Sequence, residues 1–276
     1  RKMLIASIRD VRVLVIKLCD RLHNMLTLEA LDASKQKRIS EETLVVYAPI
    51  AHRLGISSIK NLLDDLSFYY VMPNEHQKID TYIKEHGQQL QLRLNHFIAK
   101  IQQHMLKEGF IESDFTIQKR IKHYYSIYLK MQRKGVTIEE VLDLLAIRVI
   151  VRTPIDCYRA LGIVHQHFKP LISRFKDYIA IPKENGYQTI HTTVFDDKSI
   201  VEAQIRTYDM NKTAEYGVAA HWKYKSGGLN PKLDWLNDLS NQNEDIENIE
   251  DFYEIAKDNL YSEDIAVFSP KGDIFT

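Results

Sequence analysis

The chain is nearly without cysteine. Cys19 and Cys157 are the only two among 276 residues, far apart and without CxxC spacing. Neither a disulfide framework nor a cysteine-built zinc site is expected, and a reducing cytosol fits. No apolar run approaches the roughly 20 residues that span a bilayer, and no signal-peptide pattern opens the sequence. Charge of one sign is missing too. The 37 Lys and Arg balance 37 Asp and Glu, so nothing global points to nucleic acid or membrane, and the informative charge is local. Glycines (ten) and prolines (seven) are few, and 45% of residues are apolar and 27% charged. This is the composition of a soluble globular protein, long enough for one large domain or two modest ones. The chain opens on Arg1 rather than Met and stops at Thr276 on what reads as the start of a strand, so a piece of something longer is expected.

What is present falls into two textures. Over about the first 110 residues apolar positions recur at three and four, in DVRVLVIKLCDRLHNMLTLEAL, EETLVVYAPIAHRLG and IKNLLDDLSFYYVM, with breaks at Gly55 and Pro73. One more helix is predicted from about Asn74 to Lys107, ended by Gly109. Then β-branched residues and period two take over. VLDLLAIRVIV reads as a strand and CYRALGIVHQHF as a helix. DYIAIP, QTIHTTVF and SIVEAQIR read as three short strands, with turn signals at Pro182, Asn185-Gly186 and Asp196-Asp197. The class is α+β: an all-helical first part, then strands mixed with helices and closing on a hairpin. Gly227-Gly228 opens an acidic, helical stretch to about Glu263, and DIAVFSPKGDIFT reads as the opening hairpin of another module.

Three stretches carry chemistry. KRIKHYYSIYLKMQRK, residues 119–134, holds six Lys or Arg and no acid. On a helix Lys122, Ser126 and Lys130 share one face, and Arg120 sits at the start, where free backbone N–H groups favour an anion. Ile121, Tyr125 and Tyr128 point elsewhere, apt for packing on a sheet. Cations and a hydroxyl in line suit a polyphosphate, each charge-assisted bond contributing about 1.5–3 kcal/mol. A solvated basic helix, or a nucleic-acid patch interleaved with tyrosines, fits the same residues. Asp143 stands at the mouth of the strand LLAIRVIV. In SIVEAQIR, alternation puts Glu202, Gln204 and Arg206 opposite Val201, Ala203 and Ile205. If this strand pairs with the one holding His191 and Thr193, His191, Glu202 and Gln204 line one polar face. Asp143 and Glu202 are then a plausible pair for holding Mg²⁺ against phosphate oxygens, although an antiparallel sheet with one wet face alternates in the same way. In RFKDYIAIPKENGYQTIHTTV, residues 174–194, Arg174, Lys176 and Lys183 lie beside the turn Asn185-Gly186. Tyr187 follows that turn, placed to offer its ring to a purine, a stack worth about 1–3 kcal/mol.

In this order and spacing, RIKHYYSIYLKM, the strand with Asp143, RFKDYIAIPKENGYQTIHTTV, VEAQIRT and AEYGVAAHWKYK resemble the synthetase domain of the RelA/SpoT family, over about residues 110–225. The resemblance implies a nucleotidyltransferase-like mixed sheet flanked by helices, and transfer of pyrophosphate from ATP to the 3′-hydroxyl of GDP or GTP with AMP leaving. It implies that Arg120, Lys122, Ser126, Lys130 and Arg148 bind ATP. Asp143 and Glu202 would bind Mg²⁺, Glu202 also activating the 3′-hydroxyl. Tyr187 would stack on guanine, and Lys176, Lys183, Asn185, His191 and Gln204 would hold the acceptor. The basic loop Arg174-Phe175-Lys176-Asp177 resembles the version of the bifunctional, Rel- or SpoT-like branch, whereas Lys119 stands where the family has a small residue. VIKLCDRLHNMLTL resembles the last metal-binding motif of the family's HD-type hydrolase domain. That implies Asp20 as a Mn²⁺ ligand and Asn24 and Thr27 as nucleotide contacts. The family's site also needs a His and a His-Asp pair from earlier in the sequence, so alarmone hydrolysis is expected of an intact parent and not of this chain.

The expected organisation is residues 1–74 as the last hydrolase helices and a helical connector, 75–228 as the synthetase, 229–263 as an acidic helical linker and 264–276 as the start of a TGS domain. Expected partners are ATP and GDP or GTP, in the cytoplasm and in the stringent response. No membrane and no direct nucleic acid contact is expected here; the ribosome is a partner for the intact parent. Two other readings stay open: a hydrolase with a vestigial synthetase, and a non-enzymatic nucleotide sensor or RNA-binding module.

Overall fold

The computed structural model describes residues 10–141, 144–196, 199–221, 267–268 and 274–275. Asp143 and the acidic stretch lie outside the described residues. The expected terminal hairpin is represented by Val267–Phe268 paired antiparallel with Ile274–Phe275.

The first part is helical, as its periodicity predicts. It comprises α1 (Arg12–Leu26), α2 (Ala33–Glu42), a π-helical turn at Thr43–Tyr47, α3 (Ala48–Arg53), α4 (Ser57–Val71) and α5 (Pro73–Lys107). Leu14, Leu18 and Met25 form one stripe of α1 and join Ile50, Ala51, Leu54 and Leu63 in a core of their own. Pro73 begins α5 where its missing N–H costs nothing. The helix runs about 52 Å, and its residues Leu90, Leu94, Phe97, Ile101 and Met105 pack beneath the sheet. Gly109 ends it at φ 89°. The Gly109 N–H donates to the Leu106 carbonyl at 3.2 Å and the Phe110 N–H to Met105 at 3.1 Å, which satisfies the last carbonyls while Phe110 is buried.

The second part supplies β1 (Phe115–Ile121), α6 (Tyr124–Lys134), β2 (Leu145–Val151), α7 (Pro154–His167), β3 (Lys169–Pro170), β4 (Lys176–Asp177), β5 (Ile190–Asp196), β6 (Ser199–Thr207) and α8 (Tyr208–Tyr216). The strand order is β1-β2-β6-β5-β3, with β4 also on β5. Only β2 and β6 pair in parallel; the other pairs in this sheet are antiparallel. One face carries Ile147, Val149, Val151, Val201, Ala203 and Ile205 into the core with α5 and α7. The other face is polar. The class is α+β.

Three local expectations are corrected. Residues 119–121 are not helix but the end of β1, and α6 starts only at Tyr124. Phe115, Ile117 and Ile121 keep a period of two with Lys119 in their file, and pairing with β2 outweighs the helix formers that follow. Tyr125 and Tyr128 pack on Phe68 of α4, ring centroids 5.5 and 5.0 Å away, rather than on the sheet. DYIAIP is not a strand. The Asp177 carboxylate accepts from the N–H groups of Ile179 (2.9 Å) and Ala180 (3.0 Å), which turns the chain after β4.

Candidate functional site

The polar sheet face is the floor of a cleft of about 810 Å³. Register fixes its rows. Arg120, Ala146, Glu202 and Thr193 stand side by side across four strands; Gln118, Arg148, Gln204, His191 and Lys176 form the next row. Ala146 is the one short side chain between Arg120 and Glu202, so room is left above the sheet there.

Along β6 three polar side chains are linked. Arg206 Nη2 donates to Gln204 Oε1 at 3.4 Å, and Gln204 Nε2 donates to Glu202 Oε1 at 2.8 Å. The other Glu202 oxygen has no hydrogen-bond partner among the described residues. His191 Nδ1 lies 3.5 Å from Glu202 Oε1, and its Nε2 is 2.9 Å from the Tyr187 hydroxyl. Burial pushes His191 down to about 4, with Glu202 opposing, so the ring is neutral at neutral pH and its contact with Glu202 is not an ion pair. The consistent arrangement has Tyr187 donating to Nε2 and Nδ1 carrying the proton towards Glu202. Burial raises the Tyr187 phenol, which therefore keeps its proton.

The walls come from both parts of the chain. Asp65 on α4 caps α6 from outside: Oδ1 accepts from the Tyr125 N–H at 3.0 Å and Oδ2 contacts His123 Nδ1 at 2.9 Å. That holds the start of α6 so that Lys122, Ser126 and Lys130 border the cleft. Thr207 caps α8 by accepting from the Met210 N–H at 3.2 Å, and α8 brings Glu215 to 2.9 Å from Arg148. Asn185 Oδ1 accepts from the Tyr187 N–H at 3.2 Å, while its Nδ2 donates to the His52 carbonyl at 3.1 Å. Its side chain thus shapes the loop and ties it to α3. Lys183 Nζ lies 5.1 Å from the Tyr178 ring centre.

The cleft brings together Arg120, Lys122, Ser126, Lys130 and Arg148 on one side and Lys176, Lys183, Asn185, Tyr187, His191, Glu202 and Gln204 on the other. Of the synthetase residues expected from sequence, Asp143 lies outside the described residues. Sequence reasoning assigned no role to Arg206, although alternation had placed it on this face. It also missed His52, Ser57, Lys60 and Asn61, which border the cleft without any motif to betray them, and gave no role to Lys134, the last residue of the basic stretch. Among the described residues ten lysines and arginines line it against two glutamates, so it suits a polyanion.

A divalent cation fits this floor only on certain terms. Glu202 offers one carboxylate, half free, amid cations, which suits Mg²⁺ taking most of its ligands from phosphate oxygens and water. Among the described residues no group of three His, Cys, Asp or Glu could hold a metal by protein alone. On α1, Asp20 is exposed and 3.6 Å from Lys17, and Thr27 donates to the His23 carbonyl at 3.2 Å. Asp20, Asn24 and Thr27 lie exposed along one side of α1 and its C-terminal cap, far in character from the cleft. Cys19 and Cys157 are free thiols, and among the described residues no helix is long and apolar enough to cross a membrane.

Residues 119–229 match the region found in RelA / SpoT proteins, and residues 1–57 match an HD domain. The guanosine-3′,5′-bis(diphosphate) 3′-pyrophosphohydrolase of Aquifex aeolicus is 45% identical over 99% of this chain and 40% of its own length. The GTP pyrophosphokinase of Myxococcus xanthus is 42% identical over 99% of this chain and 37% of its own length. The bifunctional (p)ppGpp synthase/hydrolase SpoT of Escherichia coli is 40% identical, again over 99% of this chain and 40% of its own. The chain thus spans some 40% of the length of the curated relatives it matches.

Proposed function

Because the chain belongs to the RelA/SpoT family, we propose that its cleft moves the β,γ-pyrophosphate of ATP onto the 3′-hydroxyl of GDP or GTP and releases AMP. The observation that carries this reading is the single cleft in which the basic residues, Tyr187 and Glu202 converge over one sheet face. Arg120, Lys122, Ser126, Lys130 and Arg148 hold ATP. Tyr187 stacks on guanine, and Lys176, Lys183, His191 and Gln204 position the acceptor, with Asn185 shaping their loop. The 3′-oxygen attacks the β-phosphorus in line, the bond to the bridging oxygen breaks, and AMP leaves with that oxygen. Glu202 takes the hydroxyl proton. Glu202 and Asp143 would hold Mg²⁺, which would supply charge neutralisation on the phosphates. The protein's contribution is positioning and charge.

The proposal extends to organisation. Residues 1–74 form the hydrolase end and connector, 75–228 the synthetase, 229–263 a linker and 264–276 the start of a TGS domain. For the whole protein it includes alarmone hydrolysis at an HD-type site, with Asp20 on Mn²⁺ and Asn24 and Thr27 on the nucleotide, a cytoplasmic setting in the stringent response, and contact with the ribosome. The test is labelled ATP incubated with GDP or GTP and Mg²⁺, with products separated. AMP and the 3′-pyrophosphorylated nucleotide are expected together, only when all components are present, and neither with Glu202→Ala. AMP release without an acceptor, or full turnover by Glu202→Ala, would overturn the reading.

A further inference from the structure

Arg206 is among the largest fully buried side chains of the described residues, at 1% exposure, yet it borders the cleft. No carboxylate pairs with it among the described residues. Its Nε has no hydrogen-bond partner, its Nη2 reaches Gln204 only at 3.4 Å, and its guanidinium carbon lies 5.9 Å from the centre of the Tyr187 ring. Arg148, one strand away, differs: it is paired with Glu215 at 2.9 Å. A buried charge without a counter-ion is costly, and a fold that needed only bulk there would do better with an apolar side chain. Burial lowers the Arg206 guanidinium to about 10, with Arg148 and Arg120 pressing the same way and Tyr187 and the more distant Glu215 opposing, so it is still charged at neutral pH. Its two neighbours, Tyr187 and Gln204, are the side chains already placed on the acceptor.

We propose that Arg206 is a positioning residue of the transfer reaction: its unneutralised guanidinium sets Gln204 and Tyr187 and keeps the cleft floor positive until the phosphates of a bound nucleotide balance it. The inference rests on the reading of the cleft as a nucleotide pyrophosphotransferase. A buried cation left in deficit favours a polyanion over a neutral nucleoside, and it discriminates most before the ligand has arrived. The same deficit makes the empty protein less stable than it needs to be, a cost recovered only on binding.

The test compares wild type, Arg206→Met, Arg206→Gln and Arg206→Lys as full chains, in thermal melts without ligand, with GDP and with inorganic pyrophosphate, and in steady-state kinetics. Arg206→Met is expected to melt at or above wild type when empty, to lose most of the GDP-induced shift, and to raise the acceptor KM by about tenfold or more with a smaller change in kcat. Arg206→Lys should restore most of both. A lower melting temperature for the empty Met variant with an unchanged GDP shift would make Arg206 structural and overturn the proposal. Failure of both neutral variants to fold would overturn it equally. If wild type transfers nothing and ignores GDP, while its pyrophosphate-induced shift still depends on Arg206, the transferase reading fails and the charge deficit stands.

Discussion

Gly217 and Leu54 meet backbone to backbone: the Val218 N–H donates to the Leu54 carbonyl at 3.0 Å, and a Cβ on Gly217 would overlap that carbonyl and the Gly55 backbone. With Ser58 Oγ donating to the Glu215 carbonyl at 2.8 Å and Asn185 reaching His52, this seam joins the helical part to the sheet.

Gly217→Ala should therefore destabilise the chain by more than its positive φ of 51° alone, itself about 1–3 kcal/mol. Gly55→Ala, whose Cβ would meet Asn185 O at 3.0 Å and the Gly217 Cα at 3.1 Å, should cost less. Thermal melts decide it. An alanine at 217 that melts like wild type would mean that the seam is looser than described.

Glu202→Gln keeps the shape and the Gln204 contact but removes the base. We expect transfer to fall by about 10²–10⁴-fold, with GDP affinity nearly unchanged. Single-turnover rates alongside GDP titration would show this. Loss of binding in step with rate would assign Glu202 to affinity instead.

Tyr187→Phe retains the ring and releases His191, whereas Tyr187→Ala removes the stack. Acceptor KM should rise in the alanine variant by the equivalent of about 1–3 kcal/mol and change far less with phenylalanine. Steady-state kinetics over a range of GDP concentrations would separate them, and equal KM values would remove the stacking role.

His76 sits among Phe68, Tyr69 and Tyr124, ring centroids 5.6, 5.2 and 5.2 Å away, and burial lowers its pKa below 6.5. The unfolded chain then binds the proton more readily than the folded one. The stability contributed by neutral His76 is present above pH 6.5 and is lost as pH falls through the folded value. Melting temperature should decline between pH 7.5 and 5, and His76→Phe should flatten part of that slope. An unchanged slope would place the pH dependence elsewhere.

The sequence declares some of this plainly and conceals the rest for physical reasons. Period two in SIVEAQIR and IHTTV is enough to foresee that His191, Glu202 and Gln204 share a face, because strand parity is local. The helix over Pro73–Lys107 is legible from its stripe and its glycine stop. Arg120 is misread as helical since the run of Lys, Tyr and Leu after it favours helix, and only the partner strand shows otherwise. The residues after Asp177 read as strand because a side chain capping its own turn leaves no hydrophobic signature. Lys60 and Asn61 could not be assigned to the cleft at all: they reach it through the fold, across more than fifty positions of sequence.

Asp65 illustrates what such reach means for genetics. One carboxylate on α4, itself outside the cleft lining, closes the first turn of α6. Lesions there would be scored as failures of catalysis, although the chemistry itself is intact. A gene shortened to encode the sheet alone would inherit a helix with an open first turn, and would have to evolve a cap of its own before its lysines could find the phosphates.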